Sequence, residues 1–444
     1  MWIGIDDTDS TQGGCTTHLA AEAIFLLTKD FDLIGYPRLV RLNPTVPWKT
    51  RGNAALCFQL GHGNQEKTRI GSLHTQDISF STQLIADLSC EEQEQAFELL
   101  ADLLSQKAET KDSHTNPGLI MTTFQPSNTF YKKSVQDISS LEEITDYLYR
   151  HHAKTFCLNN GRGLIGATSA CAWIPDDFTY EYICYRKAEN IGKPREINED
   201  TVKDLDKLYP STFDNYDHKN NHNRIAPNTP CPILYGIRGE DPHDLLKAAE
   251  HIESEPSSGW IIYQSNQATD DQFIRTQIKD ISAYHSVITL GKIISDPKTE
   301  QGGHVFVSLQ DDTGIIECAA YEPTKEFRDT IRALRMGDIV EVYGAVREDP
   351  LCINLEKIHV LHLEEIEEKT ENPICSSCGK HMKSKGKNQG YHCINCGTKS
   401  NDATYKMQQR LILPGFYEVP VCARRHLSKP LKRYTHYHDF LRKK

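Results

Sequence analysis

Residues 1–18 read Met-Trp-Ile-Gly-Ile-Asp-Asp-Thr-Asp-Ser-Thr-Gln-Gly-Gly-Cys-Thr-Thr-His, and the rest of the chain is organised around them. Residues 2–5 are an apolar run of strand length, and they deliver Asp6, Asp7 and Asp9 at the strand's C-terminal end. A glycine pair, Gly13-Gly14, then leads to Thr16 and Thr17, and Leu19, Ala20, Ala23, Ile24 and Leu27 recur at helical spacing. That spacing predicts a helix over 17–28. Carboxylates at a strand end facing hydroxyls and N–H groups at a helix start suit a hard divalent cation beside phosphate, a plausible magnesium–nucleotide site. The simpler alternative is that Asp9 or Thr16 caps the helix while the other aspartates face water.

Further along, a strand over 32–42 enters the loop Asn43-Pro-Thr-Val-Pro-Trp-Lys-Thr-Arg-Gly-Asn53, before a strand over 54–60. Two prolines and a glycine order this loop, and Lys49 and Arg51 on it suit a polyphosphate. A charged surface loop is the plain alternative. An amphipathic helix is expected over 91–107 and a strand over 119–124. Gly161-Arg-Gly-Leu-Ile-Gly166 fits G-x-G-x-x-G, but it stands late in the chain and follows an Asn-Asn turn. It is either a backbone nest for phosphate or a glycine turn for close packing. No Walker A sequence and no protein-kinase H-R-D loop occurs.

Residues 178–268 alternate as strand, helix, strand, strand, helix, strand, provided one strand lies within 212–226; this is a ferredoxin-like order. Its loops carry Asp214, Asp217, Glu240 and Asp241. Residues 283–363 hold five strand-like stretches with a helix over 324–334 between the third and fourth, an OB-fold pattern suited to single-stranded nucleic acid.

Cys375-x-x-Cys378 and Cys393-x-x-Cys396 are two knuckles, each followed by glycine. Four thiolates at this spacing form a closed tetrahedral site for structural zinc. The chain has 444 residues and a net charge of −11. Residues 377–444 carry fifteen Lys/Arg against three Asp/Glu, so an acidic body of −23 bears a basic arm of +12. Lys380, Lys383, Lys385 and Lys387, then Arg424, Arg425, Lys429, Lys432 and Arg433 with Tyr434, His436 and Tyr437, give that arm an RNA-binding composition. Fourteen cysteines without a secretory leader, and no long apolar run, point to a reduced cytoplasmic protein with no membrane span.

Gly4-Ile-Asp-Asp-Thr-Asp9 and Cys15-Thr-Thr17 resemble the opening of the archaeal 2-agmatinylcytidine synthetases known as TiaS. The likeness continues through residues 43–55, 161–166, 227–239 and the cysteine knuckles, and so spans the chain. It implies four parts: an ATP-dependent kinase-like domain over 1–177, a ferredoxin-like domain over 178–268, an OB-fold over 283–363, and a zinc ribbon with a basic RNA-binding tail over 370–444. It also implies that agmatine is joined to the wobble cytidine of the isoleucine tRNA with anticodon CAU, so that AUA is read, with ATP consumed to AMP and phosphates. By the resemblance Asp6, Asp7 and Asp9 hold Mg²⁺, and Thr16 matches the family's autophosphorylated threonine. Lys49, Arg51, Asn53, Gly161, Gly163 and Gly166 are then expected at the nucleotide, and Asp214 and Asp217 at the dication agmatine. A non-catalytic RNA-binding protein, using only OB-fold and ribbon, is the competing reading.

Overall fold

The computed structural model describes residues 1–49, 52–386, 389–401 and 404–434. Thr50, Arg51, Lys387, His436 and Tyr437 lie outside the described residues.

The strand Trp2–Asp6 sits inside a sheet, antiparallel to Ala54–Gly63 on one side and to Gly118–Thr122 on the other. Side chains alternate across a strand, so its two faces do different things. Ile3 and Ile5 enter a core shared with Leu19, Ile24 and Leu27 of the helix Thr16–Leu27 and with Leu100 and Leu104 of the helix Cys90–Lys107. The latter helix starts where it does because Ser89 and Glu92 form a reciprocal capping box. Gly4 and Asp6 face the other way, onto the helix Gly163–Ala172, which lies so close that a Cβ at Gly4 would stand 2.2 Å from the Ala167 carbonyl oxygen. A Cβ at Gly118 would likewise meet the Gly163 carbonyl carbon at 2.2 Å. Gly4→Ala is therefore expected to push this helix off the sheet and cost about 3 kcal/mol, read as a fall in Tm of several degrees; an unchanged Tm would show that the helix can slide without loss.

The ferredoxin-like unit has the expected order. Thr179–Arg186, Thr212–Phe213, Ile233–Gly239 and Ser257–Ser265 are its strands, and Ile233–Gly239 and Thr179–Arg186 lie between the other two. Its first helix is broken into Glu199–Lys203 and Leu205–Leu208. This unit does not stand apart. Ser257–Ser265 pairs antiparallel with Lys67–Leu73 of the first domain, and runs parallel to Asp32–Arg41 through Gln264 and Ser265. The two domains thus share one twelve-stranded sheet. Its seam carries the buried pair Tyr185 and Tyr263, whose hydroxyls are 3.3 Å apart, and Tyr263 donates to the Thr17 carbonyl at 2.8 Å.

Ser286–Ile293, Val305–Gln310, Ile315–Ala320, Ile339–Arg347 and Cys352–His362 form the OB barrel. It closes through Ser286–Ile293 against Val305–Gln310, and Ile315–Ala320 runs parallel to Cys352–His362. The zinc ribbon follows as a small three-stranded sheet of Lys383–Ser384, Tyr391–His392 and Lys399–Ser400. The chain then returns. Gly415–Glu418 adds an antiparallel strand to the barrel, and residues 419–434 strap across the ferredoxin-like and first domains. Leu427 is buried in the core of the first domain, while Lys357, fully buried, holds Asp270 at 2.8 Å and the Tyr434 hydroxyl at 3.0 Å. Among the described residues no helix is long and apolar enough to cross a membrane.

Candidate active site

A cavity of about 340 Å³ opens where the first domain, the ferredoxin-like unit and the strap meet. One wall is built from residues 6–17. Asp6, Asp7 and Asp9 line it together with Cys15, Thr16 and Thr17. The residue before the helix that begins at Thr16, Cys15, does not cap it through its side chain. Thr16 is 5 % exposed and its hydroxyl accepts from Thr8 at 3.1 Å. Asp7 sits at φ 56°, a strained backbone setting, and accepts the Asn116 N–H at 3.0 Å. Burial pushes the Asp7 carboxyl up to about 6 despite that bond, with Asp9 adding to the rise. Burial, and then the neighbouring Asp7, raises Asp6 well above the carboxylate range. Arg162 offsets part of this charge and stacks on Trp48 at 4.5 Å from the ring centre.

The opposite wall is basic. Arg41, Arg224 and Arg238 line it around Glu181, which is 3.6 Å from Arg41 and 3.5 Å from Arg238. The strap contributes His426, whose Nδ1 is 3.1 Å from the Gln267 side-chain oxygen; Gln267 in turn donates to Glu181. Burial and the surrounding Arg41, Arg238 and Arg224 hold this imidazole neutral. The loop from Pro227 to Ile233 forms the rim. Arg195 fixes it by donating to the carbonyls of Pro227 at 2.7 Å, Thr229 at 2.9 Å and Ile233 at 2.9 Å.

Of the residues expected at the site, Asp6, Asp7, Asp9, Thr16, Lys49, Asn53 and Gly166 line this one cavity. Asn53 is at φ 46° and donates to the Asn43 carbonyl at 2.7 Å, so it shapes the loop as well as facing the space. Arg51 lies outside the described residues. The phosphate nest expected at Gly161, Gly163 and Gly166 is not formed. The Gly161 N–H donates to Leu158 and the Gly163 N–H to Asn116, and Gly166 lies within a helix. These glycines serve close approach: a Cβ at Gly166 would fall 1.8 Å from the Asp6 carboxylate.

The acidic set expected for agmatine is corrected in the same way. Asp214 is ion-paired to Arg424 and Asp217 accepts the Cys422 N–H at 2.8 Å. Glu240 binds Arg433 at 2.8 Å and Asp241 caps the helix Pro242–His251. None of the four lines the cavity. Their partners are the other half of the correction. Arg424, Arg433 and Lys429, assigned to RNA from composition, hold the strap to the body, with Lys429 and Arg433 at 2.7 and 2.6 Å from Asp177. Among the described residues, Lys380, Lys383, Lys385, Lys399 and Lys406, on and beside the ribbon, face solvent.

Sequence reasoning missed Arg41, Trp48, Arg162, Glu181, Arg224, Arg238 and His426 as lining residues. Only the shared sheet and the returning strap bring them together, and neither leaves a local motif.

At the ribbon the four sulfurs of Cys375, Cys378, Cys393 and Cys396 lie within 4.8 Å of one another. Gly379 and Gly397, at φ 69° and 75°, return their N–H groups to Cys375 and Cys393 and close both knuckles. The Ser377 N–H draws the Cys375 thiol down to about 6, toward the thiolate that a metal needs. This donor set fits structural zinc, with no position left for substrate.

Family models match in the same sequence as these units: the TiaS TCKD domain over residues 2–160, the TiaS FLD domain over 161–272, an OB-fold nucleic acid binding domain over 287–366 and the TiaS C-terminal zinc ribbon domain over 372–412. The isoleucine-tRNA 2-agmatinylcytidine synthetase TiaS of Archaeoglobus fulgidus is 40% identical over 439 residues, which cover 98% of this chain and 97% of that one. The chain belongs to the TiaS family. Among solved TiaS structures, the complex with the isoleucine tRNA and ATP superposes with a TM-score of 0.84 at 39% identity, covering 97% of each chain. The complex of TiaS with the same tRNA, AMPCPP and agmatine gives a TM-score of 0.80 at 36% identity, covering 97% of this chain and 96% of that one. The likeness to TiaS runs through both walls of the cavity as well as the ribbon, and so excludes a scaffold role for the first domain.

Proposed function

We infer that this chain is an ATP-dependent ligase that joins agmatine to C2 of the wobble cytidine in the CAU anticodon of the minor isoleucine tRNA. The observation that carries this reading is the end-to-end match to TiaS proteins across all four units. The chemistry explains the need for ATP. The C2 oxygen of cytosine is a poor leaving group, and an amine does not displace it at neutral pH. Transfer of a phosphoryl group to that oxygen makes it a leaving group: the agmatine amine adds to C2 and gives up its proton, and the C2–O bond then breaks with departure of phosphate.

The residues fit these roles. Thr16, at a helix start and beside a carboxylate wall, is the phosphorylated threonine by likeness to the family. Asp6, Asp7 and Asp9 would hold Mg²⁺. Asp6 and Asp7 are raised first by burial and then by the neighbouring carboxylates, and a divalent cation would relieve that cost. The ion would neutralise charge on the transferring phosphoryl group. Lys49 and Asn53 face the nucleotide. Trp48, 42 % exposed on the cavity loop with Arg162 against its ring, is suited to stack on a base drawn out of the anticodon. A tRNA substrate supports a cytoplasmic location.

The test is ATP-dependent incorporation of labelled agmatine into an unmodified isoleucine-tRNA transcript with a CAU anticodon. A methionine-tRNA transcript with the same anticodon serves as control. Label in the first alone is expected; no label, despite tight tRNA binding, would overturn the assignment.

A further inference from the structure

Beyond Arg41 and Gly52 the cavity continues into a second space of about 330 Å³. Its polar walls are Arg41, Lys49, Arg425 and His426, and no carboxylate is among its described lining residues. Two of these four, Arg425 and His426, arrive on the strap.

The charge here is only partly compensated. Glu181 must serve both Arg41 and Arg238, at 3.6 and 3.5 Å. Glu356 faces Arg425 Nε at 3.4 Å, yet neither of its oxygens is within a hydrogen bond of any described residue. On the cation side, Arg41 Nε and Arg425 Nη1 are buried and have no hydrogen-bond partner among the described residues. A buried guanidinium N–H without an acceptor is costly, so such a group marks a place where a ligand supplies one. The surrounding groups report the same positive field. Burial is the first cause and Arg425 the second in drawing the Lys49 ammonium, which also donates to the Pro44 carbonyl, down to about 8 against the pull of Glu356; burial and then Arg41 lower His426.

We propose that this second space is a phosphate-binding chamber in which Arg425 and Arg41 are the guanidinium donors. The planar fork of arginine matches phosphate oxygens, and a chamber walled by cations without carboxylates selects an anion over the dication agmatine. The proposal rests on the reading of the main cavity as the site of phosphoryl transfer. Two sources bring the same chemistry to it. One is the phosphodiester beside the flipped wobble nucleotide; the other is the pyrophosphate or phosphate released from ATP.

The full-length protein with Arg425→Gln tests this, with Arg425→Lys and Lys49→Gln as companions, through two binding measurements that require no turnover. The first is the dependence of tRNA affinity on salt. If the chamber holds a tRNA phosphodiester, Arg425→Gln lowers the slope of log Kd against log salt by about 0.7–0.9 and weakens binding roughly tenfold. Arg425→Lys then restores most of the slope. The second is the affinity for inorganic pyrophosphate by calorimetry. If the chamber takes the released product, Arg425→Gln and Lys49→Gln each weaken that affinity roughly tenfold while the tRNA slope stays at its wild-type value. Should Arg425→Gln fail to fold, Arg425→Met, which keeps the packing of the stem at a position that lines the second space alone, gives both readings in its place. Both quantities unchanged in folded variants would overturn the proposal, whatever the agmatine assay returns.

Discussion

Asp7→Asn is expected to cut ATP turnover by roughly 10²–10³-fold while making the protein more stable at neutral pH. The two effects have one cause. Asp7 lies against Asp6 and Asp9, and burial lifts its carboxyl to about 6 from an ordinary 3.8. A carboxyl whose folded pKa is raised binds its proton more tightly in the folded state, so ionising it opposes folding. That cost is absent below the ordinary value, grows as pH rises toward about 6, and is fully present above it. Two units correspond to at most about 3 kcal/mol, and the partial solvent access of Asp7 brings the expectation to about 1–3 kcal/mol. Melting curves of both proteins decide the matter. The Asn variant should melt a few degrees higher at about pH 7.5, and the gap should close toward about pH 4. An Asn variant no more stable than wild type at neutral pH would mean that the wall is not electrostatically strained. A divalent cation removes the same strain, so metal–nucleotide binding near pH 6 should release protons.

How far the sequence reveals this arrangement depends on how local each signal is. The strand Trp2–Asp6, the helix after Cys15 and the cysteine knuckles are written in runs of a few residues, and their reading holds. The ferredoxin-like and OB orders follow from the succession of strands and helices, because both topologies leave that succession unchanged. Gly161–Gly166 shows where pattern fails. Its spacing is that of a phosphate loop, yet Gly163 and Gly166 exist to let a helix approach Gly118 and Asp6. Which group meets a glycine is a tertiary fact. The same holds for Asp214 and Asp217. Composition identifies them as carboxylates on a loop, but Arg424 and the Cys422 N–H, more than 200 residues later, decide that they face inward to the strap. Arg41, Glu181 and His426 come from three distant segments and meet only because Ser257–Ser265 zips the two sheets together and the strap closes over the seam.

Removing the strap is expected to be far more damaging than removing the ribbon that precedes it. A chain ending at residue 414 loses the strand Gly415–Glu418 from the barrel and Leu427 from the core of the first domain. It also strands buried charge. Asp214 loses its partner Arg424, and Lys357 loses its bond to the Tyr434 hydroxyl. Breaking one buried pair by removing a single partner costs about 3–5 kcal/mol. Several such losses together should lower Tm by more than about 10 °C and empty the cavity wall of His426. The ribbon is different. Glu367–Glu371 pairs with Thr404–Met407, and Glu371 stands opposite Thr404, so a two-residue turn can join them with residues 372–403 excised. That protein should keep a Tm within a few degrees of wild type and keep binding ATP. Its tRNA affinity should fall at least roughly tenfold, because Lys380, Lys383, Lys385 and Lys399 are gone. A strap-truncated chain that melts like wild type would refute the account. A cut after residue 365 removes ribbon and strap together. Loss of activity in that chain would therefore say nothing about RNA, since the catalytic cavity would already be incomplete.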